Sequence, residues 1–411
     1  MTGMAAAVFA AKRKIETVLV GITSEMIFAS GLLDLLGVYP IEKGKPIRDP
    51  WQGIVNLTQN DPYHPYAKIP AATIQKGIEE LVAYLNANGL TYTCHTDRNA
   101  LILTPAGTLK PSYYIPQTMW GGVQAHESKA PCLIVDIKGL KGFNARQIAA
   151  PFKDSWPELS HTSISFPGME HSGEIYLEPL ARSMVLPRNR RALADTLRPV
   201  INGFEFVGLP AMFGIQNPDD IRLDLEKQLG VNLFEIPTMP PSIPGLRLKE
   251  FFETALPNYG IRCMMPKRVL AVDKKGREFS VQIGDAEPDH VIKTRGIILA
   301  SGRFVGRGLH ADRLKIRESV FNLPVYQPEK RREWHRFEFL HPSGHPINRA
   351  GLEIDNDFRP LDASGQAAHP SLFAAGSILA HQDWVRSKCG SGLAIATAFA
   401  AVNAFINANP S

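Results

Sequence analysis

The wholly apolar run Gly296-Ile297-Ile298-Leu299-Ala300 ends on Ser301-Gly302 and closes a stretch of strict alternation. A continuous apolar run of this kind is typical of a strand buried on both faces, as in parallel sheets covered by helices. Residues 268–273, the turn Lys274-Lys275-Gly276, residues 278–283 and residues 290–299 read as a three-stranded antiparallel meander whose last strand is this run. The pattern requires a frame of helices and strands in which a small residue and a glycine stand at a strand end. There the backbone can come close to a ligand.

Two more glycine-bearing junctions accompany it. Residues 2–14 are rich in alanine and predict a helix, with Gly3 on its first turn. A dinucleotide fingerprint places its third glycine at such a point, so that helix and strand can pack closely. A strand over 17–20 follows and ends on Gly21. Near the other end, Leu372-Phe373-Ala374-Ala375-Gly376-Ser377 reads as strand and turn, and Gly390-Ser391-Gly392 opens a helix of small residues. Glycines at a helix start leave N–H groups uncovered at the positive end of the helix dipole. A reduced flavin carries negative charge at its pyrimidine edge, which suits such a place.

Between these junctions, residues 39–70 are rich in Pro, Gly, Asp and aromatics and read as long loop. An amphipathic helix over 72–86 places Ile74, Ile78, Leu81, Val82 and Leu85 on one stripe. Short strands are expected near 91–94, 100–104 and 131–137, and helices over 188–197, 219–229 and 246–256.

Composition narrows the chemistry. The chain has 411 residues, 44% of them hydrophobic, which excludes global disorder. A net charge of +5 with both signs scattered along the chain argues against a nucleic-acid partner. The cysteines, Cys94, Cys132, Cys263 and Cys389, lie far apart without a C-x-x-C pair, so neither zinc nor an iron–sulfur cluster is expected and no metal site is assigned. Cys389 reads as a small buried residue in preference to a redox partner. The apolar stretches 4–11 and 393–399 fall short of the ~20 residues of a membrane span. The chain is therefore expected in the cytoplasm, with no transmembrane segment of its own and with electrons carried by an organic cofactor or a partner's cluster. The basic runs at 188–191 and 330–336 read as solvated faces, or as contacts for a partner protein or anionic lipid.

Taken in order, the three junctions resemble the two-dinucleotide-binding-domain flavoproteins. The resemblance sharpens at Ser30-Gly31-Leu32-Leu33-Asp34-Leu35-Leu36, with Met4-Ala5-Ala6-Ala7 before it and Cys389-Gly390-Ser391-Gly392 near the end. These elements are similar to those of the B subunit of the anaerobic glycerol-3-phosphate dehydrogenase. The fold then expected is α/β, a Rossmann-like flavin-binding domain with a β-meander made of 1–40, 246–302 and 346–411. Residues 41–245 would form an inserted α+β substrate or partner domain, with 303–345 packed against it. The resemblance implies oxidation of sn-glycerol 3-phosphate to dihydroxyacetone phosphate. It also implies two partners. One is a larger, homologous flavin-containing subunit; the other is an iron–sulfur subunit that holds the pair at the inner face of the membrane and passes electrons to quinone. It implies FMN as the flavin. The strand over 17–20 ends on Gly21, not on the acid that would hold an adenosine ribose, which agrees with FMN, while Glu25 leaves FAD open.

The cofactor-binding residues expected are Gly3, Ser30, Gly31, Ala300, Gly302, Gly376, Ser377, Gly390, Ser391 and Gly392. Ser377 stands where many such enzymes carry an Asp. The first strand and first two glycines of the fingerprint are missing, and would precede Met1. Oxidising a secondary alcohol needs a base, and a phosphate ester needs cations. In the loop before the last helix, His381 or Asp383 is expected as base and Arg386 and Lys388 as anion ligands. Two other readings fit the same residues: a stand-alone flavin oxidoreductase for another small hydroxy or keto substrate, and a flavin-free scaffold protein that only binds the larger flavin subunit.

Overall fold

The alanine-rich run folds as helix Thr2–Lys12 and buries every residue from Met4 to Ala10. A helix buried all round belongs inside a layered structure. In the computed structural model, which describes residues 1–409 and leaves out the side chains of 23–25, this helix packs on the last helix, Gly390–Ala408. Small side chains on both let the axes approach. Phe9 meets Phe399 edge-on with ring centroids 5.1 Å apart, and the Arg13 guanidinium lies 4.9 Å from the centroid of the Phe399 ring. By length and composition the last helix could cross a membrane, but 56% of its apolar window is buried inside the protein.

The chain divides into two units. One comprises Met1–Glu25, Asp34–Ala83 and the chain from Phe252 onward; the other comprises Met26–Leu33 and Tyr84–Phe251. The division falls at other points than the expected 41–245, because residues 34–83 count with the terminal helices. Within residues 39–70, expected as loop, Pro50–Asn60 is a helix. The Asp49 carboxylate accepts from the N–H groups of Trp51 and Gln52 at 2.9 and 3.0 Å, and Pro50 occupies the first helical position.

In the first unit, Val18–Val20 pairs in parallel with Arg262–Met264, and Ile297–Leu299 pairs in parallel with Leu372–Ala374. The meander is present as Arg268–Lys275, Glu278–Gly284 and Pro288–Thr294. Its third strand stops at Thr294, whose hydroxyl donates to the Gly296 carbonyl at 3.0 Å. The run expected to continue the meander therefore joins a different sheet. At Gly296 a Cβ would stand 2.5 Å from the Phe405 ring, so glycine there lets Phe405 pack against the chain where it changes direction. Of the three residues in the next strand, only Leu299 is buried, while Ile297 and Ile298 are half-buried.

The second unit holds a four-stranded parallel sheet in the order Leu159–Ile164, Cys132–Ile137, Phe206–Pro210, Asn232–Ile236. Trp156, Phe213 and Phe234 are fully buried in its core. Two short antiparallel pairs accompany the sheet. At the end of the last strand, Glu235 is wholly buried against Arg247, with both carboxylate oxygens taken, at 2.6 and 2.7 Å. Thr118 Oγ1 and the Phe213 N–H also donate to Glu235, and Arg247 Nε donates to the Gly214 carbonyl. Burial alone would raise the Glu235 carboxyl; the Arg247 charge and these hydrogen bonds outweigh it and hold it below its ordinary value. Removing one partner of such a pair leaves a charge in the core and costs about 3–5 kcal/mol. Arg247→Met is therefore expected to destabilise the second unit by that amount, read as a lowered midpoint in urea. An unchanged midpoint would show that the pair does not hold this unit together.

Candidate functional site

Helix Thr2–Lys12 starts at the carboxyl ends of parallel strands, where α/β sheets take their ligands. A Cβ on Gly3 would lie 3.2 Å from Leu19 Cδ1 and 3.7 Å from Ala300 Cβ, so the helix start stands beside both strand ends. Gly376 follows the strand Leu372–Ala374 at a positive φ of 80°, and a Cβ there would run into Thr2 Oγ1. Gly302 is also left-handed, at φ 69°. Thus Gly3, Ala300, Gly302 and Gly376, drawn from three distant stretches of sequence, gather at one corner. Among the described residues the helix has no side-chain cap, and an α-helix supplies its first N–H groups with no intrahelical acceptor. Ser301 Oγ is buried there without a partner among the described residues, and a Cβ on Gly21 would meet open space.

The second expected helix start is arranged differently. Ser391 Oγ accepts from the Asp34 N–H at 2.6 Å, and the Gly392 N–H donates to the Asp34 carbonyl at 2.7 Å. A Cβ on Gly392 would stand 2.6 Å from that carbonyl and 2.7 Å from Tyr66 Oη. Gly392 therefore serves close backbone packing, and its N–H is spent within the protein and not left free for a ligand. Gly390 packs beneath the Trp384 ring. Ser30 and Gly31 belong to the second unit, where Gly31 abuts Pro244. Cys389 is fully buried; burial and then the nearby Asp34 and Asp383 push its thiol up, so it stays protonated at neutral pH.

Between the two corners runs the loop from Gly376 to Lys388, and one side chain shapes it. Arg303 Nε donates to the Ser377 carbonyl at 2.7 Å, and its Nη groups donate to the carbonyls of Asn348, Leu379 and Gln382. Burial lowers its pKa to about 10, which leaves it charged at neutral pH. His381 sits in the left-handed region, φ 62°, with Nε2 2.8 Å from Glu353 Oε1 and its ring 4.1 Å from that of Tyr326. Asp383 is buried and committed: Oδ1 accepts from the Arg386 N–H, and Oδ2 accepts from Asn348 Nδ2 at 3.0 Å. Arg386 lies 3.8 Å from Asp383 and donates to the Pro342 carbonyl at 3.2 Å. Lys388 ends the short helix Trp384–Ser387 in a left-handed conformation.

The FAD binding domain family matches residues 1–393. The probable B subunit of the anaerobic glycerol-3-phosphate dehydrogenase of Halobacterium salinarum is 30% identical over 422 aligned residues, which cover 98% of this chain and 94% of that protein. The B subunit of Vibrio vulnificus is 30% identical over 98% of this chain and 93% of its own length, and that of Pectobacterium atrosepticum is 26% identical over 90% and 88%. The chain belongs to the family of B subunits of the anaerobic glycerol-3-phosphate dehydrogenase. It is thus an α/β flavoprotein of an oxidoreductase family, and the match is to FAD binding with no support for FMN. The missing acid at Gly21 removes one ribose contact without deciding the flavin. Glu25, the other candidate for that contact, has its side chain outside those described.

The residues present fit a flavin dinucleotide. An uncapped helix start, an unpartnered buried hydroxyl and left-handed glycines at strand ends are the donors and clearances that a pyrophosphate and its sugars require. Sequence reasoning missed the polar groups around His381. Arg349 pairs with Asp61 and donates to the His381 carbonyl at 3.3 Å; the Tyr63 ring lies tilted against that of His381, centroids 5.3 Å apart. His64 is buried beside them, its Nδ1 accepting from the Tyr66 N–H and its Nε2 without a partner among the described residues. No local spacing joins 61–64 to 349–353 and 381, so only the fold could bring them together.

Burial lowers the His64 pKa from 6.5 to about 3, against the opposing pull of Asp61. A folded-state value below the unfolded one means that the unfolded chain binds the proton first. The stabilisation is therefore complete above pH 6.5 and drains away as pH falls towards 3, by about 1.4 kcal/mol per pH unit. His64→Gln is expected to flatten the acid limb of the stability–pH curve by about one proton. An identical slope in both proteins would show that His64 is protonated in the folded state.

Proposed function

We propose that this chain is the flavin-binding B subunit of an anaerobic, quinone-linked glycerol-3-phosphate dehydrogenase, oxidising sn-glycerol 3-phosphate to dihydroxyacetone phosphate. The single observation that carries the reading is the convergence of Gly3, Ala300 and Gly376 at strand ends, in a chain that aligns almost end to end with proteins of that name. Its partners on this reading are a larger, homologous flavin subunit and an iron–sulfur, membrane-anchoring subunit, through which electrons travel towards quinone. The chain then works in the cytoplasm, held at the inner face of the cell membrane by those partners.

FAD is the flavin assigned, with Thr2, Gly3, Ala300, Ser301, Gly302, Gly376 and Ser377 as the residues that would hold it. When bound, the flavin supplies a two-electron acceptor for the hydride lost from the substrate's C2. The protein must remove the hydroxyl proton from the same carbon. Of the two expected bases, His381 suits this better than Asp383. Glu353 fixes the proton on His381 Nε2 and leaves Nδ1 as the acceptor. Asp383 already caps a helix and holds Asn348. Arg386 and Lys388, on the same loop, are the cations assigned to the phosphate ester.

Two measurements test this. The chain purified with its partners is expected to show a flavin absorption band that sn-glycerol 3-phosphate bleaches, and acid is expected to release FAD. A flavin-free complex would leave the scaffold reading. Bleaching of the isolated chain by another hydroxy acid alone would leave the stand-alone reading. His381→Gln is expected to lower kcat by about 10²–10⁴ with flavin content unchanged. Undiminished turnover would move the base to another residue.

A further inference from the structure

Residues 303–345 hold nine Lys and Arg against five Asp and Glu, a net of +4 in a chain whose total is +5. The same segment presents the most exposed large apolar side chains in the described residues, and presents them at two tips. One is the turn of the hairpin Leu309–Ala311/Ile316–Glu318, where Leu314 is 79% exposed between Arg313 and Lys315. The other is the loop in which Phe337, Phe339 and Leu340 are 105%, 85% and 80% exposed. Arg331 Nη1 donates to the Asp312 carbonyl at 2.7 Å and so ties the second segment to the first.

Neither tip is loose chain. The Asp312 carboxylate accepts from the N–H groups of Leu314 and Lys315, which sets the hairpin turn. In the loop, His345 Nδ1 accepts from the Arg336 N–H and its Nε2 donates to the Phe339 carbonyl, closing the loop on itself. Buried Trp334 anchors the base, with the Arg331 guanidinium 5.0 Å from its ring centroid. The backbone is held, and the apolar groups are held outward with it. A water-facing surface gains nothing from two phenylalanines and two leucines displayed this way.

We propose that this surface docks on an anionic lipid bilayer, with Leu314, Phe337, Phe339 and Leu340 entering the acyl boundary and Arg313, Lys315, Lys330, Arg332 and Arg336 at the headgroups. Glu338, exposed between Phe337 and Phe339, and Glu333, 3.9 Å from Arg332, offset part of this charge. The segment's net +4 still leaves apolar tips flanked by an excess of cations, the arrangement that binds interfacially by buried apolar area plus attraction to anionic lipid. A protein partner is the poorer fit. A stable protein face needs about 800 Å² per side, usually as a continuous patch, whereas these side chains project from two separate tips. The contact would belong to this chain itself, in addition to any anchoring by its partners.

The test is sedimentation of the full chain with phosphatidylcholine vesicles, with and without phosphatidylglycerol. Binding is expected with phosphatidylglycerol, weakened by salt. It is expected to fall roughly tenfold in Phe337→Ser/Phe339→Ser/Leu340→Ser and in Arg332→Gln/Arg336→Gln, at unchanged circular dichroism. Leu314→Ser, a single change at the hairpin turn, gives an independent loss should the triple variant not fold. No binding to anionic vesicles, or equal binding by the variants, would overturn the proposal. So would loss of co-purification with its partners in the triple variant without any vesicle binding, which would make the surface a protein interface.

Discussion

The contact between the first helix and the last is what the first unit depends on. Its chain comes from three separate stretches, and a discontinuous unit must be closed by packing between its ends. Here the closure is made by small residues. Ala5, Ala6 and Ala7 on one helix and Ala394, Ala396, Ala398 and Ala401 on the other are buried, and none holds the axes apart. Phe399 then fills the remaining space, against Phe9, the Arg13 guanidinium and the backbone of Gly77. Burying so much alanine yields little per residue, so the gain comes from close approach and dense packing. The same closeness fixes where the first helix begins, and so where its uncapped N–H groups stand relative to the strand ends.

The candidate site is built from backbone more than from side chains. Glycines clear space at Gly3 and Gly376, and Arg303 spends its charge on carbonyls of the loop that carries His381. A guanidinium used in this way is a brace. It holds a loop whose residues adopt a costly left-handed conformation at His381 and again at Lys388.

Much of this is legible in the sequence, where a pattern has only one physical meaning. The alanine run, the stripe from Ile74 to Leu85 and the alternation after Arg268 each correspond to an element close to its expected bounds. Pro50–Asn60 is not, because its buried face carries only Pro50, Gly53, Ile54 and Leu57, too few to set a period. Its true signal is the Asp49-Pro50 start. Gly392 is ambiguous for a different reason. A glycine at a helix start serves either a ligand or a neighbouring backbone, and only the position of Asp34 separates the two uses. The parallel sheet of the second unit is hidden because an apolar run states that it is buried and not beside which strand.

Asp34 and the pair Ser391-Gly392 are separate elements in the sequence, some 357 positions apart, and in the folded chain they bond to each other. Neither element keeps its position without the other. A backbone carbonyl 2.6 Å from where a Cβ would be leaves no room for drift at Gly392, and the Ser391 hydroxyl meets both the N–H and the carbonyl of Asp34. Residues 34 and 391–392 are thereby under one constraint. A larger side chain at residue 392, or a shift of the backbone at Asp34, would therefore open a misfit at this seam between the two stretches of chain.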